Sequence, residues 1–469
     1  MGRTESKIGG IRMGKFKYSE EEQKTVNVLK YQDNQLDELM KDSSERRNKT
    51  DDEIEFLESQ LSSLGVNPNN IKPVNNPNVP RKVMVYPSWE KLCVEAEKAV
   101  GSNCELESIF TDAELKSNEL AIRQLRDDYN QINRLDKIDI TISAIAGIVG
   151  AAVDILLVGI PKKGSEGLEA APLSDFIRKK FDEIFPEEEM QKLANSKESK
   201  VPFDAQDNRN TTVYVEGLSA YYHRLLSLGH DPLLGFAVGV FDILTGRMTT
   251  IDKTGKIISQ VMENYADRKE SDVFVALAKQ LYHFKSDITT SMGLPAPLMG
   301  LFNLFQFGSI GEYEQTVAEI VQGMYYEGYD FIHFCSMSIP VMITEVIVRI
   351  SYAVKRIKEG NRVLDSIPFS LNREKHPKLA TMLFIAHSGA AAVNAGKVCF
   401  TKNPMAINYP QWIAFAKYSY KQLKWVIVEK PAAREAYIEG KLDESWKSIE
   451  DEVNASFEEF SKDCYLVFE

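Results

Sequence analysis

The chain has 469 residues, with 56 Lys and Arg against 68 Asp and Glu, giving a formal net charge of −12. That length suffices for two or three domains and a sizeable buried core, whereas an acidic chain lacks the basic face that extended phosphate contact needs, so duplex nucleic acid is excluded as a partner. Five scattered cysteines (Cys93, Cys104, Cys335, Cys399, Cys464) form no CxxC pair, which fits a reducing compartment and excludes a disulfide framework or zinc ribbon.

The opening MGRTESKIGG is polar and carries no apolar region of a secretory signal, so membrane insertion is expected to use internal segments. From Tyr18 to Leu64, Val28, Leu29, Leu36, Leu39, Met40, Ile54, Leu57, Leu61 and Leu64 recur at spacings of three, four and seven among many charges. This predicts a helical hairpin or short coiled coil over 1–64, with the charged KDSSERRNKTDDE as its turn. GVNPNNIKPVNNPNVPRK, with four Pro and six Asn, marks a linker over 65–82. Residues 83–137 read as a polar, cytoplasmic helical region that runs directly into ITISAIAGIVGAAVDILLVGIP, residues 140–161, whose single formal charge is Asp154.

An apolar helical body is expected over 138–428. Residues 140–161 and Phe331–Ile350 approach spanning length, while Pro232–Gly246, Leu294–Gly311 and Ala380–Gly396 suit re-entrant or buried helices. The stretch 140–161 predicts one continuous helix lined on one side by Gly147, Gly150 and Asp154. GAAVDILLVG (150–159) and GVFDILTG (239–246) share a pattern that puts one acid, Asp154 or Asp242, in an apolar helix beside small residues. A carboxylate there needs a partner, water or a raised pKa. Its two readings are a cation or proton pathway and an internal ion pair or cap. Glu345 and Arg349, four apart in FIHFCSMSIPVMITEVIVRI, share a helical face and can satisfy one another. The tyrosines of GMYYEGYD before that segment and the basic SYAVKRIKEGNR after it match an aromatic belt followed by a positive-inside flank. Residues 429–469 hold 12 acidic and 5 basic residues and read as a solvated, acidic helical tail.

His283, Ser286 and Asp287 lie at i, i+3 and i+4 in LYHFKSD, on one helical face. A hydrolase could use such a set, together with His230 and Asp231, although a triad within one helical turn lacks the geometry of nucleophile, base and orienter. His223, His230 and His333 are further candidate ligands, but no HExxH-like spacing appears, so neither metal nor cofactor is assigned. The GKI at Gly255 and GKV at Gly396 lack the spacing of a phosphate loop.

The ordered series GHDPLLG (229–235), LTGRMTTIDKTG (244–255), HFKSD (283–287) and GLPAPL (293–298), preceded by AGIVGAAVDILLVGIP, resembles a family of uncharacterised bacterial membrane-associated proteins found on mobile elements. The resemblance covers residues 137–310, transfers no catalytic residue and implies a setting in bacterial conflict such as phage defence. The expectation is therefore a mainly α protein with a cytoplasmic N-terminus and a body inserted in the bacterial inner membrane; a cytoplasmic location is the alternative. The leading function is an oligomeric pore or channel effector whose pathway uses Asp154 and Asp242, with Glu345 and Arg349 as further polar intramembrane residues. The alternatives are a hydrolase using His283, Ser286 and Asp287, and a non-catalytic helical scaffold. The expected partners are the lipid bilayer, further copies of the chain and an unidentified regulatory ligand or protein.

Overall fold

Helix formation dominates the chain: in the computed structural model, which describes residues 18–68, 82–164, 167–169, 171–290, 292–310 and 314–468, the fold is 71% helical. Two compact units form, one from 1–131 with 432–469 and the other from 132–431.

The first unit starts with α1 (Glu20–Ser63), opened by a capping box in which Ser19 accepts from the Glu22 backbone and the Glu22 carboxylate accepts from the Ser19 backbone. This is one helix of 44 residues rather than a hairpin. The charged centre expected to turn holds no Gly or Pro, and its side chains support the helix instead, with Arg46 paired to Asp42 one turn back at 2.9 Å. Only Val26, Asn27 and Val28 of α1 are buried. Most of the predicted linker, 69–81, lies outside the described residues. Beyond it come β1 (Lys82–Tyr86), α2 (Trp89–Val100), which packs on α1, and α3 (Asp112–Asn133).

In the second unit α4 (Lys137–Val153) begins at a reciprocal cap between Asp136 and Asp139 and widens into a π turn over Asp154–Val158. Gly159, with φ of 70°, then ends it. The helix expected over 140–161 is therefore continuous but starts earlier and closes at Val158. Its small residues allow close packing: a Cβ on Gly147 would lie 2.5 Å from the Ala386 carbonyl oxygen, and one on Gly150 would lie 2.1 Å from Thr344 Oγ1. The chain continues through the hairpin β2 (Lys162–Gly164) and β3 (Gly167–Glu169), then α5 (Pro172–Ile184), α6 (Glu187–Asn195), α7 (His223–Leu226), α8 (Val238–Thr245), the antiparallel pair β4 (Arg247–Ile251) and β5 (Ile257–Val261), α9 (Val273–Asp287) and α10 (Val317–Tyr326). It then returns through α11 (Phe331–Lys358), α12 (Val363–Ser366), α13 (Leu379–Thr401) and α14 (Tyr409–Lys424). A further π turn leads to α15 (Lys430–Asp463) and β6 (Cys464–Phe468), which pairs in parallel with β1 and so joins the acidic tail to the first unit.

Helices α4, α11, α13 and α14 form a bundle whose directions follow from its ion pairs. At one end Lys355 holds Asp139 at 2.6 Å and also Asp136, with Lys378 3.7 Å from Asp139. At the other end Asp154 accepts from Lys397 Nζ at 3.0 Å, Asn394 Nδ2 at 3.2 Å and Asn408 Nδ2 at 2.7 Å. Hence α4 and α13 run one way, and α11 and α14 the other. Midway, Glu345 accepts from Arg349 at 3.1 Å and from the Tyr418 hydroxyl at 2.6 Å.

Among the described residues, three stretches of helix are long and apolar enough to cross a membrane: the one ending at Val158, Phe331–Lys358 and Leu379–Thr401. The third exceeds the length expected from its apolar core because the helix continues through Lys397, whose charge is met by Asp154. Ile148, Leu156, Met342, Val346 and Ile350 point their side chains outward from these helices. Lys397→Met, which strands the buried Asp154, is expected to lower stability by about 3–5 kcal/mol; the double variant Asp154→Asn/Lys397→Met should recover most of that loss, as read by thermal melting in detergent.

Candidate metal centre

Three segments of the second unit deliver imidazoles and carboxylates to one point. Asp204 follows Phe203 in a buried loop, with Val201, Phe203 and Ala205 all fully inaccessible. His223 opens α7, and one short 3-10 turn later His230 ends Leu228–His230. His283 and Asp287, at i and i+4, lie on the inward face of α9. The GHDPLLG sequence builds this junction locally. A Cβ on Gly229 would meet the Phe203 ring at 2.6 Å, so glycine lets that ring lie edge-on to both His230 and His283, with centroids 5.1 and 5.3 Å away. Gln280 of α9 donates to the Gly229 carbonyl at 2.7 Å and fixes the turn to the helix. Asp231 is not part of the cluster: its oxygens accept from the backbones of Leu233, Leu234 and Leu298 and hold the loop.

The donor atoms converge. His223 and His230 place Nε2 at 3.4 and 3.6 Å from Asp204 Oδ1, while His230 and His283 place Nε2 at 3.8 and 3.5 Å from Asp287 Oδ2. Two overlapping groups, Asp204–His223–His230 and His230–His283–Asp287, each keep their ligand atoms within 4.8 Å of one another. His223 Nε2, His230 Nε2, His283 Nε2 and Asp287 Oδ2 are all buried, and none has a hydrogen-bond partner. Native interiors rarely leave such groups unmet, and four aimed at one place are a candidate ligand set for a metal ion.

The surroundings orient the ligands as metal sites require. His223 Nδ1 donates to the Ala220 carbonyl at 2.9 Å, which turns Nε2 inward. Arg224 clamps Asp287 through its terminal nitrogen at 3.1 Å and reaches Thr290 Oγ1 at 2.5 Å and the Met292 carbonyl. Its Nε is 2.9 Å from Asp287 Oδ2 but misaligned for hydrogen bonding, so that oxygen stays free to coordinate. Burial pushes the His230 imidazole down to about 4, leaving it neutral at physiological pH. Burial alone would raise the Asp204 carboxyl, but the imidazoles of His223 and His230 beside it outweigh this and hold it well below the ordinary range. Asp204 is also the open member of the set, with a quarter of its side chain (26%) accessible, whereas His230 is fully enclosed. Three imidazoles and two carboxylates suit a divalent transition ion such as zinc, iron(II) or manganese(II).

The site departs from the sequence reading in instructive ways. The fold supplies candidate metal ligands where the sequence assigns none, because it joins histidines that no local spacing connects. The serine arrangement does not form: the Ser286 hydroxyl donates to the His283 carbonyl of its own helix at 2.7 Å instead of facing the imidazole. His333 is not a member of either ligand group; it is buried at the start of α11 against the Tyr329 ring. Asp204 and Arg224 were not singled out from sequence. Asp154 and Asp242 serve different structural ends, since Asp242 accepts from the Thr249 backbone and hydroxyl at 2.8 Å each. No known family model, curated protein or solved structure matches the chain.

Two outcomes are expected. Purified protein should carry about one divalent transition ion per chain by elemental mass spectrometry, lost in His230→Ala and His283→Ala but kept in Ser286→Ala. Separately, burial raises the Asp242 carboxyl from 3.8 to about 6. Between those pH values the folded chain keeps a proton that the unfolded chain has released, so stability falls as pH rises through the window and stays lower above it. Asp242→Asn should therefore raise stability at pH 7, by at most about 3 kcal/mol, and change it little at pH 3.5 in melting experiments.

Proposed function

We propose that the protein is a membrane-anchored, metal-dependent hydrolase. The observation that carries this reading is the convergence of four buried, unpartnered donor atoms beside the partly open Asp204. A divalent ion held by His223, His230, His283 and Asp287 would supply Lewis acidity and lower the pKa of a water at the open side. Asp204 stands where it can ligate or take that water's proton, and Arg224 keeps Asp287 in place. Because the serine faces its own backbone, the nucleophile in this reading is water and not Ser286.

The apolar helices support the anchoring half of the reading. The bundle end that holds Arg134, Lys137, Lys355, Arg356, Lys358 and Lys378 is the basic one, which the positive-inside tendency assigns to the cytoplasm. The pore reading draws on the same three helices. Its proposed pathway acids, however, are already engaged, Asp154 by Lys397 and two asparagines and Asp242 by Thr249, which favours an anchor over a conduit. A place in phage defence rests on the family resemblance alone.

Chromogenic carboxylic and phosphoric esters offered to the detergent-solubilised protein provide the test. Hydrolysis should vanish on chelation, return with zinc or manganese, and fall by about 100-fold or more in His230→Ala, while Ser286→Ala stays within about threefold of the parent. Retained activity after complete metal removal, or a collapse in Ser286→Ala alone, would return the assignment to serine chemistry. Ion flux through vesicles that survives His230→Ala but is lost in Asp154→Asn would favour the pore.

A further inference from the structure

Helix α9 is built inside out. Its inward face is mostly polar, with Lys279, Gln280, His283, Ser286 and Asp287 buried beside Ala276 and Phe284, while Phe274, Leu277 and Leu281, spaced three and four apart, point away from the fold. Phe274 is 81% exposed. The neighbouring α8, which packs against α9, buries Val240, Asp242 and Ile243, yet with the turn before it Leu233, Phe236 and Phe241 also face out. In water a surface helix turns its apolar stripe to the core and its charges outward. Here two adjacent helices turn large apolar side chains out, and on α9 that row ends at Lys285, the exposed cation of its last turn. A long lysine at the rim of an apolar face is the arrangement of interfacial helices, whose stems lie in the acyl boundary while the ammonium reaches the headgroups.

We propose that this α8–α9 face lies in the membrane interface and that the substrate of the metal centre is an ester-bearing membrane amphiphile; the second half rests on the metal-hydrolase reading. The occupant is a bilayer because the same unit already carries three stretches of helix long and apolar enough to cross one, with outward side chains of the same kind. His283 and Asp287 sit on the opposite side of the very helix that presents Phe274 and Leu281, so lipid and ligand set are separated by one helix diameter, about 10 Å. In the reaction, a water at the open side of the site gives one proton to Asp204 and its oxygen to the carbonyl carbon or phosphorus of the ester. The ester bond breaks, and the leaving oxygen takes up a proton, so that ester and water become acid and alcohol.

The full-length protein with Phe274→p-benzoylphenylalanine, reconstituted in vesicles of phosphatidylethanolamine and phosphatidylglycerol and irradiated, should yield adducts carrying the mass of a phospholipid. Adducts to a second copy of the chain, or none, overturn the docking. Phe274→Asp and Leu281→Asp should then lower release of fatty acid or headgroup from those vesicles by about tenfold or more, with metal content and hydrolysis of the soluble esters within about twofold of the parent. Equal loss on both substrates, or no loss on vesicles, overturns the substrate assignment. A chain without metal and inert on soluble esters removes the hydrolase reading and the substrate with it, while the photoadduct still decides the docking.

Discussion

The second unit is tied together by one buried carboxylate. Asp154 stands where α4 relaxes into its π turn and accepts from side chains of α13 and from Asn408 at the head of α14. Asn408 also reaches the Met337 carbonyl of α11, and Asn394 accepts from the Asn408 backbone and the Trp412 indole. All four bundle helices are thereby fixed at the end where the chain leaves for the lobe that carries the candidate metal ligands. An ionised pair in such a place adds little stability over an apolar replacement; its clear effect is that either partner alone is costly, which sets the register of the helices. The apolar cluster of Val158, Leu225, Met299, Tyr325 and Met337 continues that fixed end into the lobe, so the loop bearing His223 inherits its position from the bundle.

How much of this was legible depended on whether the information was local. The helical character, the apolar stretch through Asp154 and the pairing of Glu345 with Arg349 follow from periodicity, and the structure carries all three. Of the two N-terminal expectations, hairpin or coiled coil, the hairpin does not form, because a charged run without Gly or Pro and with paired side chains is good helix. The metal centre was hidden for another reason. Its residues lie on a loop, a short turn, a 3-10 element and a helix, and no spacing rule links Asp204 to His283. His283 and Asp287 were found as a pair at i and i+4, but were first grouped with Ser286, whose hydroxyl is consumed by the helix backbone, an ordinary fate for a serine within a helix. The signals available were an acid between buried apolar residues in VPFDA and two histidines bracketing one short apolar turn, both weak until the fold supplies the third side.

The lobe around the metal centre also shows why hydropathy alone misjudges such regions. In α9 Phe274, Leu277 and Leu281, which look like a core stripe, are exposed, and Lys279, Gln280, His283 and Asp287, which look like a solvated face, are buried. Lys279, for example, lies inside, donating to Glu270 at 2.7 Å and to the Arg268 carbonyl at 2.8 Å. Binary pattern gives the period of such a helix correctly and its orientation wrongly, and only the partners of the polar side chains reveal the inversion.

The parallel pairing of β1 with β6 carries a consequence for the order in which the molecule is made. Lys82 pairs with Cys464 and Tyr86 with Phe468, while everything in the second unit lies between them in the chain. A two-stranded parallel ladder has little stability of its own, and closing so long a loop is slow. The first segments to be synthesised therefore wait as an incomplete unit until the whole apolar body has been produced. During that interval β1, with Val83 and Val85 largely exposed, is an unpaired edge open to the same segment of another nascent chain.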